Sequence, residues 1–152
     1  MTLPLLKLAD QAAYRPHHER TLCRGGIVTH DGIRVFFRKQ EFDHAFFESS
    51  GRRGENDVFS LERAMRMDWI APALADQTAR RLQGWLKKEQ RHDPTRRVTV
   101  FIDGFLVIIA LRLRDGDLRA QFVTCYPADA RTQSNLTRAP FWTLEDCLNA
   151  LR

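Results

Sequence analysis

At 152 residues, with 43% hydrophobic and 28% charged side chains, the chain has the size and composition of one globular domain, which argues against a disordered, fibrous or repeat protein. Its 24 lysines and arginines outnumber its 19 acids, and the resulting net charge of +5 is compatible with an anionic partner. Cys23, Cys125 and Cys147 form an odd set without CxxC or Cys/His ligand spacing, which argues against a disulfide framework and for a reducing, cytoplasmic setting.

Taken in chain order, Leu3 to Ala13 predicts a short helix that Pro16-His17-His18 breaks, so both histidines are expected in a loop. The first 24 residues read as a loosely packed N-terminal arm of a single domain spanning 1–152. The Leu3–Leu6 run is too short, and too soon followed by Lys7 and Asp10, for a signal peptide. Asp31-Gly32 between Ile27–Thr29 and Ile33–Phe37 predicts a hairpin. Residues 40–48 predict a helix with Phe42 and Phe46 on one face, and 49–57 an exposed loop. Ser60 is placed to cap a helix from Leu61, with Leu61, Met65 and Trp69 as its apolar ridge.

Pro72 marks either a kink or a new helix, and Ala73 to Gln90 then predicts the main helical element, burying Leu74, Leu82, Trp85 and Leu86. Residues 97–124 predict a three-stranded antiparallel meander turning at Asp103-Gly104 and Asp115-Gly116. Its middle strand, apolar from Phe105 to Leu111, is expected at the centre of the sheet with both faces covered; the run is too short to span a bilayer, and no membrane partner is expected. Residues 127–142 read as a polar loop, and Thr143 as the cap of a last helix packing Leu144, Leu148 and Leu151. The fold class is therefore α+β: an N-terminal helical part on a C-terminal antiparallel meander, with a short C-terminal helix.

No phosphate-loop, dinucleotide or nucleophile-elbow motif occurs, and the five histidines show no HxH or HxxxH pattern, so neither metal nor cofactor is expected. Any chemistry would then rest on acid/base and cationic side chains. His44, flanked by Phe42 and Phe46, can move a proton near neutral pH, although a structural histidine is the commoner case. Arg63 and Arg66 lie one turn apart and suit a phosphodiester, or simply a surface pair. Thr124 and Tyr126 share a strand face and offer hydroxyls, with Arg112 or Arg114 on the neighbouring strand. For binding, the basic stretch Arg80 to Arg97 contributes Arg80, Arg81, Lys87, Lys88, Arg96 and Arg97, alongside Arg112 and Arg114; a solvated helix face is the bland alternative.

Three stretches carry a resemblance: Phe-Asp-His-Ala-Phe-Phe at 42–47, Phe-Ser-Leu-Glu-Arg-Ala-Met-Arg-Met-Asp-Trp-Ile at 59–70, and Phe-Val-Thr-Cys-Tyr-Pro at 122–127. In this order they resemble the phage- and toxin-associated branch of the barnase–EndoU–colicin–RelE ribonuclease superfamily, over roughly residues 40 to 142. The resemblance implies a helix-plus-four-stranded-sheet fold and metal-independent RNA cleavage, often of tRNA, in which the substrate's 2′-OH attacks the adjacent phosphorus. It implies RNA as partner, with a cognate inhibitor protein as a further candidate. Carried over by position, the helical histidine is His44, the helical arginine Arg63 with Arg66 as second choice, and the late-strand hydroxyl Thr124 with Tyr126 beside it. The departure is a missing second histidine or lysine near the meander, His92 being poorly placed.

Three functions compete. The first is a metal-independent endoribonuclease, and the second a non-catalytic nucleic-acid-binding or toxin-neutralising protein of the same fold. The third is a protein–protein module using Phe141-Trp142, though these residues are better explained as packing the last helix onto the sheet.

Overall fold

A computed structural model describes residues 3–51 and 56–152. In chain order the elements are α1 (Gln11–Thr21), β1 (Arg34–Phe36), α2 (Phe42–Ala45), β2 (Phe47–Ser49), β3 (Asn56–Phe59), α3 (Leu61–Ala64) and α4 (Ile70–Ala75). They continue with β4 (Arg80–Leu86), β5 (Arg91–Ile102), β6 (Phe105–Arg114), β7 (Asp117–Pro127), α5 (Ala130–Leu136) and α6 (Leu144–Leu151). The fold is α+β, with most helices ahead of the meander and a short one behind it.

The meander forms because both its turns use residues that tolerate left-handed backbone. Asp103 and Gly104 have φ of 53° and 76°, Asp115 and Gly116 of 53° and 83°. Two consecutive positive φ values twist a two-residue hairpin in the same hand as its strands. β5, β6 and β7 pair antiparallel through these turns, and the full sheet runs β1-β7-β6-β5-β4. β6 is central as expected. Its first half is buried on both faces, whereas Arg112, Leu113 and Arg114 are exposed.

One sheet face carries the main core. Val98, Val100, Phe105, Val107, Ile109, Ala120, Phe122 and Cys125 point to it and meet Tyr14, Phe42, Phe46, Ala64, Met67, Ile70 and Leu74. The opposite face has a smaller cluster at one end only, where Leu136 of α5 covers Leu82 and Leu106, with Phe101, Ile108 and Tyr126 packed around them.

Several expectations are corrected by this packing. The N-terminal helix is Gln11–Thr21, capped by Asp10, whose carboxylate accepts from Ala13 N at 3.0 Å. It runs through Pro16 because Tyr14 and His18, one turn apart, are both buried in the core, and that burial outweighs one missing ladder bond. His17 and His18 are thus helical. Residues 3–24 also dock: Leu6 N donates to Met65 O at 2.8 Å and Trp69 Nε1 to Pro4 O at 3.0 Å. The expected 27–37 hairpin shrinks to a single Val28–Arg34 bridge, while β1 pairs parallel with β7.

The 40–48 helix ends at Ala45, with Phe42 and Phe46 both buried, and Phe47–Ser49 pairs with Asn56–Phe59 as a β2–β3 hairpin. Of the expected 49–57 loop, residues 52–55 lie outside the described residues. Ser60 does cap α3, accepting from Arg63 N at 3.3 Å. The ridge fails, because α3 lasts one turn and passes into a 3-10 turn at Met67–Trp69; Ala64, Met67 and Ile70 are buried while Leu61 is 50% exposed. Pro72 falls in the first turn of α4, where its missing N–H has no ladder partner to lose.

The largest correction concerns 73–90. The helix stops at Ala75, and Arg80–Leu86 is edge strand β4, paired with β5 from Arg80↔Phe101 to Leu86↔Arg91 across a bulge at Gln83/Gly84. The 127–142 loop contains α5, capped by Asp129. Thr143 caps α6 as expected, yet Cys147 is its buried residue and Leu151 is exposed. Trp142 is buried with its Nε1 donating to Pro94 O at 2.8 Å, whereas Phe141 is 67% exposed.

Candidate nucleic-acid interface

Strand alternation decides which side chains share the uncovered half of the second face. On β6 these are Ala110, Arg112 and Arg114, since Val107 and Ile109 point into the core. Register then places Arg97 of β5 opposite Ala110, Gln121 of β7 opposite Ala110, and Arg119 opposite Arg112. The parallel pairing of β1 adds Arg34 beside Arg119 and Phe36 beside Gln121. Arg38, just past β1, lines the same depression as Phe36, Arg112, Arg114, Arg119 and Gln121.

Six arginines from one contiguous surface result: Arg34, Arg38, Arg97, Arg112, Arg114 and Arg119. Across four strands the surface is about 14 Å wide. Arg34, Arg119 and Arg112 stand directly side by side on three neighbouring strands. Like charges so placed repel, by up to about 1 kcal/mol per pair. Among the described residues none of the six is in an ion pair; the described ion pairs use Arg15, His17, Arg81, Arg91 and Arg96 instead. On these strands the one carboxylate of the face is Asp117, opposite Arg114.

Phe36 is the exception to the charge. Its ring is 43% exposed, and the Arg119 guanidinium carbon lies 5.9 Å from its centroid. The depression beside it has a volume of about 190 Å³. At its margin Gln121 Nε2 donates to Glu41 Oε1 at 3.5 Å. Burial pushes the Glu41 carboxyl up, against the pull of His44 and Arg38.

The residues expected to carry catalysis are dispersed along the other end of β7. Arg63 is fixed, its guanidinium donating to Phe47 O at 2.8 Å and Ala45 O at 3.3 Å and lying 5.2 Å from the Tyr126 ring centroid. Arg63 and Tyr126 line a cleft of about 420 Å³ with Glu48, Ser60, Glu62, Asp129 and Thr132. Burial raises the Tyr126 phenol, which therefore stays a neutral donor. Arg66 turns elsewhere, donating to Glu62 O at 2.7 Å and stacking on Trp69 at 5.1 Å. Thr124 faces the same way as Tyr126, opposite Ile108, without lining the cleft. His44 is exposed on α2 near Glu41, outside the cleft lining. The structure thus brings together Arg63 and Tyr126 of the five.

The expected binding residues also divide. Arg97, Arg112 and Arg114 belong to the arginine face. Arg80, opposite Phe101, lies toward its covered end. Arg81 is engaged internally, bridging Asp31 at 2.6 Å and stacking on Trp142 at 4.9 Å. Burial opposes the Asp31 charge, but the Thr29 hydroxyl and Arg81 hold the carboxyl below its ordinary range. Lys87 and Lys88 sit at the β4–β5 tip, and Arg96 meets Glu89 at 3.3 Å. Sequence inspection missed Arg34, Arg38, Arg119 and Phe36. The period-two alternation in Arg34-Val35-Phe36-Phe37-Arg38 was visible, but the parallel β1–β7 pairing that adds it to the meander was not.

Among the described residues, no group of three or more His, Cys, Asp or Glu side chains is arranged to hold a metal ion, and no helix is long and apolar enough to cross a membrane. No family model matches the sequence, and no curated protein or solved structure matches it.

Proposed function

We propose that this is a nucleic-acid-binding protein and that RNA lies along the arginine face. The observation that carries this is the clustering of five arginines from four strands, with Arg38 just past β1, on the uncovered half of one sheet face, none of them ion-paired among the described residues. Guanidinium groups hold phosphate oxygens in paired, charge-assisted hydrogen bonds, and a polyanion offsets the repulsion along the Arg34–Arg119–Arg112 row. Fluorescence anisotropy of a labelled RNA in low salt, with polyglutamate as competitor, tests it. Binding is expected that polyglutamate displaces only at large charge excess; equal competition charge for charge, or no binding, would overturn it.

A second reading, metal-independent endoribonuclease, is favoured by one observation, the Arg63–Tyr126 contact in the neighbouring cleft. Arg63 would hold the scissile phosphate and Tyr126 orient it inside the cleft, while Thr124, as a second orienting hydroxyl, and His44, which would move the proton of the attacking 2′-OH, stand outside its lining. Arg119 and Tyr126 are about 20 Å apart along β7, so one RNA strand could lie across both sites. Incubation with total tRNA in EDTA is the test. Cleavage lost in His44→Ala supports this reading; intact tRNA, or cleavage indifferent to His44→Ala, removes it.

A further inference from the structure

Building on the nucleic-acid reading, we infer that the arginine face takes a single RNA strand, with one base stacked on the Phe36–Arg119 platform and its edge met by Gln121. Phosphate attraction alone explains the arginines but not Phe36. Its ring is exposed among charges, on a face where no core requires it, with a guanidinium 5.9 Å from its centroid. Aromatic rings and guanidinium planes are the two surfaces on which unpaired bases stack.

The neighbours suit that role. Gln121 is directly opposite Phe36, and Ala110 follows on the next strand, so the platform is flanked by an amide and then by a methyl group. The depression of about 190 Å³ opens beside the ring, lined by Phe36 and Gln121 and by the arginines Arg38, Arg112, Arg114 and Arg119. That is below the size of a site that engulfs a cofactor or drug-sized ligand, so a flat ring entering from an open surface is the better fit. Gln121 spends one N–H on Glu41 and keeps a donor and its carbonyl oxygen for a base edge.

A duplex can meet the arginines with phosphates and Gln121 with a 2′-hydroxyl or base edge, but its base faces are stacked inside, so it has no free π-face for Phe36. A single strand presents phosphates to Arg112, Arg114 and Arg119 and a free π-face to Phe36 at once.

Anisotropy titrations of the full chain with three labelled probes of equal length test this: a single-stranded RNA, the same strand with abasic positions, and an RNA duplex. The base-bearing strand is expected to bind best. Phe36→Ala should weaken it about tenfold while leaving the abasic strand unchanged, and Phe36→Trp should retain affinity. Phe36→Leu, which keeps apolar bulk without a π-face, serves where Phe36→Ala lowers the melting temperature, and should behave like it. Equal binding of base-bearing and abasic strands, equal weakening of both by these variants, or preference for the duplex would overturn the inference while leaving nucleic-acid binding in place. Failure of all three probes to bind would overturn both.

Discussion

His18 shows how packing changes a residue's chemistry. It is fully buried between Phe42 and Phe46, whose ring centroids are 5.8 and 5.6 Å away, and Cys23 Sγ lies 3.6 Å from Nδ1. Burial pushes its pKa down to about 4, against the pull of Glu19 and together with Arg15. The folded protein therefore resists a proton that the unfolded chain accepts near 6.5. Stability from this residue is complete above pH 6.5 and drains away as pH falls toward 4, by about 2–3 kcal/mol at pH 4.5. Urea denaturation at pH 7.5 and 4.5 measures it. His18→Gln should lower stability at pH 7.5 yet flatten the dependence between the two values; an unchanged slope would show that other groups cause it. The sequence offered no hint of this burial, because Pro16 looked like a helix breaker and only the core contacts of Tyr14 and His18 reveal why the helix continues.

Among the elements, those set by local chemistry were legible and those set by distant partners were not. Two Asp-Gly turns specify the meander, and Ser60 and Thr143 cap helices where a hydroxyl precedes an apolar run. The stretch 73–90 was misread because Leu82, Trp85 and Leu86 fit a helical period as well as Leu82, Gly84 and Leu86 fit a strand. Two features decide for the strand. Asp76 accepts from Thr78 N and Oγ1 at 2.7 and 2.6 Å, turning the chain after α4. Gly84 then permits β5 to approach closely at the bulge, where Asp93 gathers bonds from Thr95 and Arg91. A Cβ at position 84 would stand 2.5 Å from Arg97 Cβ, a contact that no side-chain rotation relieves. Gly84→Ala should therefore cost about 1–3 kcal/mol, lowering the melting temperature by several degrees. A helix through this segment would instead gain from alanine, so an unchanged or raised melting temperature would contradict strand β4.

For the whole molecule, what matters is that β1 and β7, more than 80 residues apart, lie parallel. That pairing turns three scattered arginines into a row and adds Phe36 and Arg34 to a surface of which the sequence showed only Arg97, Arg112 and Arg114. It also separates this surface from the β4–β5 tip that linear charge density favours, where Glu89 meets Arg96, while Arg81 at the far end of β4 is committed to Asp31. Salt dependence distinguishes the two. Affinity for a single strand falls with salt by a slope near −0.7 per phosphate neutralised, so full engagement of six arginines predicts a log–log slope of about −4. Arg112→Gln, on an exposed strand position, should reduce that slope by about 0.7 and weaken binding across sequences alike. Lys87→Gln with Lys88→Gln removes the same kind of charge from the tip and should change the slope less than Arg112→Gln alone. The reverse order would move the binding surface to the β4–β5 tip. A slope near zero in the unaltered protein would remove the electrostatic basis of binding, because no set of phosphate contacts this dense can form without releasing counterions.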